Sequence, residues 1–401
     1  MKELKGYDTC YGCTACEQAC PVHAITMREN EEGFLYPQVD EEKCIDCNLC
    51  HRICEQHELC NSREQQVIYA AINKDPVKRE SSSSGGVFTA LAEYILKIGG
   101  AVYGAAFDAD YQVVHVRVDR TEDLVRLRGS KYVQSILGDT YTKVRRDLSD
   151  NRKVLFSGTP CQVKGLEAFL QNKHENLLLC DVLCHGVPPV GIWRQYLTYI
   201  SQNRKAIRHI SFRNKEYGWR NQALCIDFEN DRYIARLTEC PYYILYFRHN
   251  ILRPSCHNCQ YARYERSGDI TLEDFWGVED SLQGKTLDDG QGVSVVMANT
   301  AKGKQLLQCA ADQLILREST PREAYQVILD GPVARAKTRD EFWKYYKNHT
   351  FEDVLRKYGR WTKKDIVVKK IIAPLTKKLG IYNLAQKIYF LRKQSSNGRH
   401  Q

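Results

Sequence analysis

The sequence predicts an α/β protein, α+β when all its parts are counted, with a cysteine-rich head over residues 1–62, a large α/β domain over residues 63–335 and a basic helical region over residues 336–401. Three observations predict it. Two cysteine quartets of identical spacing fill the first 54 residues, strand-like and helix-like apolar runs alternate from Val67 onward, and Lys and Arg crowd the final stretch.

A chain of 401 residues with 43% hydrophobic content can bury one large core or several smaller ones. No run approaches the roughly 18 to 20 apolar residues of a membrane-spanning helix, and MKELKGYDTCYGC lacks a signal-peptide core. A cytoplasmic protein is expected, and clustered C-x-x-C spacings then favour thiolate ligands over disulfides for the seventeen cysteines. The net charge of +9 is local. Residues 360–401 carry eleven Lys and Arg against one acid, Asp365, which leaves −1 for the rest and argues against nucleic acid as a partner.

In the head, Cys10, Cys13, Cys16 and Cys20 follow C-x2-C-x2-C-x3-C, with Pro21 next; Cys44, Cys47, Cys50 and Cys54 repeat the spacing, with Glu55 in the proline's place. Three thiolates at i, i+3 and i+6 can grip three corners of a 4Fe-4S cubane, while the fourth cysteine reaches the other cluster. That predicts one cubane on Cys10, Cys13, Cys16 and Cys54, and a second on Cys44, Cys47, Cys50 and Cys20. The head is thus ferredoxin-like. Structural zinc would need wider separations between ligand pairs. Cys60 has no partner at cluster spacing.

In the large domain, VIYAAI reads as a strand, GGVFTALAEYILKIGG as a helix closed by Gly99-Gly100, and AVYGAAF as a second strand. KVLFSGTPCQVKGLEAFL is a strand that turns through Gly158-Thr159-Pro160 into a helix with proline at its start, and LLLCDVLCHG adds another strand. The SSSSGG run at 81–86, just ahead of a helix, has the chemistry of a phosphate cradle; it also suits a flexible loop with a serine N-cap.

Cys161 in SGTPCQ and Cys184 in DVLCHG each follow a predicted strand, and Cys256 with Cys259 forms a C-x-x-C pair in RPSCHNC. A third 4Fe-4S cluster is one reading of these four; zinc, a redox disulfide and unliganded thiols are the others. Cys180, Cys225, Cys240 and Cys309 lie in apolar runs and are expected in the core, and His185 and His257 take no role. FRNKEYGWR at 212–220 and DITLEDFWG at 269–277 suit either surface turns or the binding of an anionic planar ligand, with Arg213, Lys215, Arg220 and Trp219 as the groups concerned.

Taken together, CYGCTACEQACP, SSSSGGVFTALAEYILKIGGAVYGAAFD, RGSKYVQS, VLFSGTPCQVKGL, CHGVP, FRNKEYGW, RPSCHNCQYA, DITLEDFWG and GVSVVMANTAKG resemble the coenzyme F420 hydrogenase/dehydrogenase beta-subunit family, in the family's order over about residues 5 to 305. The resemblance implies FAD on the α/β domain and a 4Fe-4S cluster close to the flavin. By that resemblance Cys161, Cys184, Cys256 and Cys259 would hold the third cluster, Ser83, Ser84, Gly85 and Gly86 would face the FAD diphosphate, and Lys131 and Thr159 would lie near the flavin. The nearest likeness is to a bacterial branch found with polysaccharide-synthesis enzymes such as pyruvyl transferases.

The expected function is an iron-sulfur flavoprotein oxidoreductase that passes electrons between ferredoxin, or another redox protein, and a small-molecule two-electron substrate such as coenzyme F420. The alternative is a non-catalytic electron-transfer subunit serving a partner enzyme. Residues 360–401 mix apolar and basic residues at roughly helical spacing, which suits either peripheral contact with the inner face of a membrane or a solvated or partner-packed helix.

Overall fold

A computed structural model describes residue 4 and residues 6–55, 66–282 and 284–362. Cys60 and most of the basic tail, with its expected membrane contact, lie outside the described residues. No helix among the described residues is long and apolar enough to cross a membrane.

The head repeats one local design. Each cysteine loop bends through two residues in the left-handed region, Gly12 and Thr14 in the first and Asp46 and Asn48 in the second, at equivalent positions after Cys10 and Cys44. Such turns aim consecutive backbone N–H groups into the loop, where anionic sulfur can accept. A short helix follows each loop, Ala15–Ala19 and Leu49–Glu55, and an antiparallel hairpin of β1 (Ile25–Glu29) and β2 (Leu35–Val39) lies between them. Ala15 and Ile53 are buried in one cluster with Tyr141, Phe156, Val163 and Leu166 of the large domain, so the head shares a core with it.

Among its described residues the large domain has eleven strands: β3 (Val67–Asn73), β4 (Ala101–Phe107), β5 (Val113–Val118), β6 (Val154–Gly158), β7 (Leu177–Val182), β8 (Ile207–Asn214), β9 (Ala223–Phe228), β10 (Arg232–Arg236), β11 (Ile270–Asp274), β12 (Ser294–Ala298) and β13 (Leu314–Ser319). Eight of them form a mixed sheet in the order β13-β3-β12-β11-β7-β6-β4-β5. Its centre is parallel, with Val102 opposite Leu155, Phe156 opposite Leu179 and Ile270 opposite Cys180. Strands covered on both faces read as continuous apolar runs, which is why VLF and LLLC show no alternation. One face packs under Val87, Leu91 and Ile95 of the helix Val87–Lys97; the other packs under Val163 and Leu166 of the helix Pro160–Leu170. Strands β8 to β10 form a separate antiparallel sheet whose aromatic core, with Trp193, Phe212 and Tyr242, also takes in Phe342, Val354 and Tyr358 of the helices Arg339–Asn348 and Phe351–Tyr358.

Cys180, Cys225 and Cys240 are buried as expected, whereas Cys309 is exposed. It ends the helix Ala301–Cys309, whose buried face is carried by Leu306 and Leu307.

A buried carboxylate fixes the register of β7 and β11. Asp181, fully buried, accepts from the Thr271 hydroxyl, from Ser267 N and Gly268 N at 3.2 Å each, and from Arg266 Nη2 at 3.4 Å. Removing one partner of a buried pair strands the other charge, at about 3 to 5 kcal/mol. Asp181→Ala is expected to lose that much stability, read from the denaturant midpoint at unchanged slope.

Candidate functional site: three cysteine pockets and a ligand cavity

The carboxyl ends of the parallel strands gather the chemistry, as is general for open α/β sheets. β6 runs through Thr159 to Cys161, β7 through Leu183 to Cys184, and β11 ends on Glu273 and Asp274. The turn Pro254–Asn258 brings Cys256 and Cys259 over them.

Twelve cysteines line three small pockets, four to each. Cys10, Cys13, Cys16 and Cys54 line the first and Cys20, Cys44, Cys47 and Cys50 the second, so the fourth cysteines are exchanged between the two loops. Cys161, Cys184, Cys256 and Cys259 line the third. Backbone N–H groups already donate to sulfur, Gly12 to Cys10 at 3.4 Å, Ala24 to Cys20 at 3.2 Å and Gly186 to Cys184 at 3.4 Å. Burial first, and then repulsion among neighbouring thiolates, pushes the thiols of Cys13, Cys16 and Cys184 well up, Cys256 to about 12 and Cys259 to about 11. Among the described residues no group is set to hold a single metal ion, and the four-thiol sets fit instead an iron-sulfur cluster, whose iron would let such thiols ionise together.

Beside the third pocket lies a cavity of about 470 Å³, within the range of cofactor sites. Its wall includes Ser83, Ser84, Gly86, Lys131 and Thr159. Gly85 is not part of it. A Cβ there would stand 2.3 Å from the Ala71 carbonyl oxygen, so this glycine serves close packing against β3. Ser83 Oγ accepts from Ser130 N at 2.7 Å, and Ser84 Oγ donates to Val293 O at 2.8 Å; Gly86, with φ +79°, precedes the helix Val87–Lys97. Lys131 Nζ donates to the carbonyls of Ala105, Arg126 and Arg128 at 2.8 to 3.1 Å, which ties it to the wall, while burial lowers it to about 7. Thr159 Oγ1 stands 3.2 Å from Cys161 Sγ.

Three buried polar atoms of the wall have no hydrogen-bond partner among the described residues: Thr89 Oγ1, Arg128 Nε and Gln222 Oε1. Orphaned polar atoms around a mostly apolar cavity call for a polar-edged ligand, and a flavin dinucleotide beside a helix N-terminus fits them. The FRNKEYGWR segment divides its labour. Arg213 reaches the wall and pairs with Asp274 at 2.6 Å; Lys215 donates to Arg79 O at 2.7 Å and Gln291 O at 2.8 Å. Trp219, buried, stacks on Trp276 at 5.0 Å, while Arg220 turns outward to Glu279 and Asp288. Sequence reasoning missed Glu273, which lines the cavity; burial and then repulsion from Asp274 hold its carboxyl well above the usual range. The available signal was the adjacent pair of acids that follows the apolar start of DITLEDFWG.

His115, also on the wall, lies 2.9 Å from Ser157 O and 2.9 Å from Ser135 Oγ, and burial lowers it to about 4. An unfolded histidine titrates near 6.5, so between about pH 6.5 and 4 the unfolded chain holds a proton that the folded one refuses. Stability should therefore fall on acidification through that window, and His115→Gln should remove up to about 3 kcal/mol of the fall. Urea unfolding at pH 7 and pH 4.5 checks this.

The sites touch. Cys13 faces Gly165 of the helix that begins beside Cys161, Tyr11 lines both the first and the third pocket, and Cys161, Cys184 and His185 line both the third pocket and the cavity. Leu4 lines both head pockets, so the outer one, of Cys20, Cys44, Cys47 and Cys50, the inner one, of Cys10, Cys13, Cys16 and Cys54, the third pocket and the cavity each share a lining residue with the next.

Residues 9–57 match the 4Fe-4S dicluster domain, so the chain is an iron-sulfur protein. Residues 68–139 match the N-terminal and residues 151–324 the C-terminal model of the coenzyme F420 hydrogenase/dehydrogenase beta subunit. These stretches make up more than half of the sequence, and the chain belongs to that family of oxidoreductase subunits. It is 25% identical over 200 residues to a subunit of the F(420)H(2) dehydrogenase of Methanosarcina mazei, covering 46% of this chain and 55% of that one. It is 27% identical over 172 residues to the coenzyme F420-dependent sulfite reductase of Methanocaldococcus jannaschii, covering 41% and 26%. Over 47 residues, 12% of this chain and 16% of the relative, it is 45% identical to a subunit of the ion-translocating oxidoreductase complex of Methanosarcina acetivorans. The matches thus span about half of the first relative's length and less of the other two. A chain of the F420-reducing NiFe hydrogenase complex from Methanosarcina barkeri aligns at 17% identity and TM-score 0.45, over 71% of this chain and 95% of that one, too distant a likeness to carry an argument.

Proposed function

We propose that this chain is an iron-sulfur flavoprotein oxidoreductase that carries electrons between a redox protein docking at the head and a two-electron organic substrate at the large cavity. The observation that carries the reading is the unbroken series of three cysteine pockets ending at a 470 Å³ cavity. In it, Cys20, Cys44, Cys47 and Cys50 hold the outer cubane, Cys10, Cys13, Cys16 and Cys54 the inner one, and Cys161, Cys184, Cys256 and Cys259 the third. FAD in the cavity would supply hydride chemistry and accept or release electrons singly. The protein's residues bind and orient: Ser83 and the helix N-terminus after Gly86 face the diphosphate, Arg213, its charge met by Asp274, donates to Ser83 O at 3.3 Å and steadies that turn, and Glu273 holds a proton on the cavity wall. Coenzyme F420 is the leading substrate, since two relatives bear it in their names.

Anaerobic purification with flavin and iron analysis should give about one FAD and twelve irons per chain. Eight irons without flavin would reject the reading. A second reading, an electron-transfer subunit without its own substrate, is favoured by the names of two relatives, each of which is one subunit of a larger enzyme. Failure of the flavin-loaded chain to reduce or oxidise any added deazaflavin would favour it.

A further inference from the structure

Among the fully buried arginines, Arg266 faces Asp181 and Arg339 faces Glu32. Arg253 is as deeply buried, yet among the described residues no carboxylate stands within ion-pair reach of it. Its Nε donates to Cys10 O at 2.7 Å, Nη1 to Gln134 Oε1 at 3.0 Å, and Nη2 to Leu35 O at 2.9 Å and Cys10 Sγ at 3.7 Å. The guanidinium lies over the Tyr36 ring at 4.2 Å. A buried cation held only by neutral acceptors is strongly disfavoured unless an anion is close.

Cysteine sulfur lies on both sides of it. Cys10 belongs to the inner head pocket, and Arg253 itself forms part of the wall of the pocket lined by Cys161, Cys184, Cys256 and Cys259. Arg253 is in the wall of neither head pocket; what ties it to the inner one is its pair of contacts with Cys10 O and Cys10 Sγ. The close approach is built in: a Cβ on Gly12 would stand 2.8 Å from Arg253 Nη1.

We propose that Arg253 is the shared counter-charge of the inner head cubane and the third cubane, and that it raises the reduction potential of both relative to the outer one. A cubane held by four thiolates is a net anion and becomes one charge more negative on taking an electron. A fixed cation beside it favours the reduced form. An electron arriving at the outer cluster is thereby drawn inward. Arg253 is a positioning and tuning residue, and its role rests on the three-cluster reading above.

The test is a potential titration of the full-length, iron-loaded chain followed by electron paramagnetic resonance. Arg253→Gln deletes the charge. Gln134→Glu keeps the shape and gives the guanidinium a carboxylate, so it tests the same charge should the first variant load iron poorly. In both, two of the three one-electron steps should move to lower potential, with the reduced-to-oxidised ratio at fixed potential falling at least about tenfold, or about 59 mV, and the third step unmoved. Arg253→Lys, which carries the charge but lacks the planar fork and the stack on Tyr36, should shift the same two steps by less than the glutamine variant does. The proposal is overturned if no step moves, if all three move alike, or if the lysine variant moves as far as the glutamine one. A wild type with two cubanes would sink the three-cluster reading alone; one of its two steps must still shift, and no shift overturns the role of Arg253 by itself.

Discussion

Cys256→Ser is expected to lower bound iron from about twelve to about eight per chain and to leave both head clusters in place. Cys256 shares the third pocket with Cys161, Cys184 and Cys259 and is remote from the head quartets in sequence. Serine keeps the volume and removes the soft thiolate that iron prefers. Because that pocket lies between the inner head pocket and the cavity, a reductant that delivers electrons at the head should still bleach the head clusters and should no longer bleach the flavin. Retention of twelve irons, or flavin reduction through the head at the wild-type rate, would count against the assignment.

Gly165→Ala should injure the same path from the other side. Alanine is the better helix former by about 1 kcal/mol, so on propensity alone the change would stabilise the helix Pro160–Leu170. Its Cβ, however, would meet Cys13 Cβ at 2.8 Å, Tyr141 Oη at 2.9 Å and Cys13 Sγ at 3.0 Å. Overpacking of this kind costs about 1 to 3 kcal/mol, and here the crowded neighbour is a candidate cluster ligand. The expected result is a lower unfolding midpoint together with an altered spectrum of the inner head cluster. An unchanged midpoint and spectrum would mean that the head rides less tightly on this helix than the shared burial of Ala15 and Ile53 implies.

What was legible in the sequence follows the reach of each signal. The head quartets were plain because their ligands lie three and four residues apart, and the exchange of Cys20 and Cys54 followed from the repeat. The strands and helices around Val67–Phe107 and Val154–Val182 were readable from apolar runs and their glycine and proline ends. The third quartet left several readings open because its members meet through parallel neighbours β6 and β7 and a turn some seventy residues later, a matter of strand order that no local spacing encodes. Gly85 and Gly86 look alike in sequence; one fills a contact with Ala71 and the other turns the chain into a helix. Arg253 carried no motif of its own, and its significance emerges only where Cys10 and Gln134 converge on it.

A continuous path from the head to a flavin is tested most directly by an anaerobic reductive titration of the purified chain, followed by visible absorbance. The titration should consume about five electrons, one for each of three cubanes and two for the flavin, with the flavin band bleaching in the same experiment. Consumption of two electrons with no flavin band would contradict it.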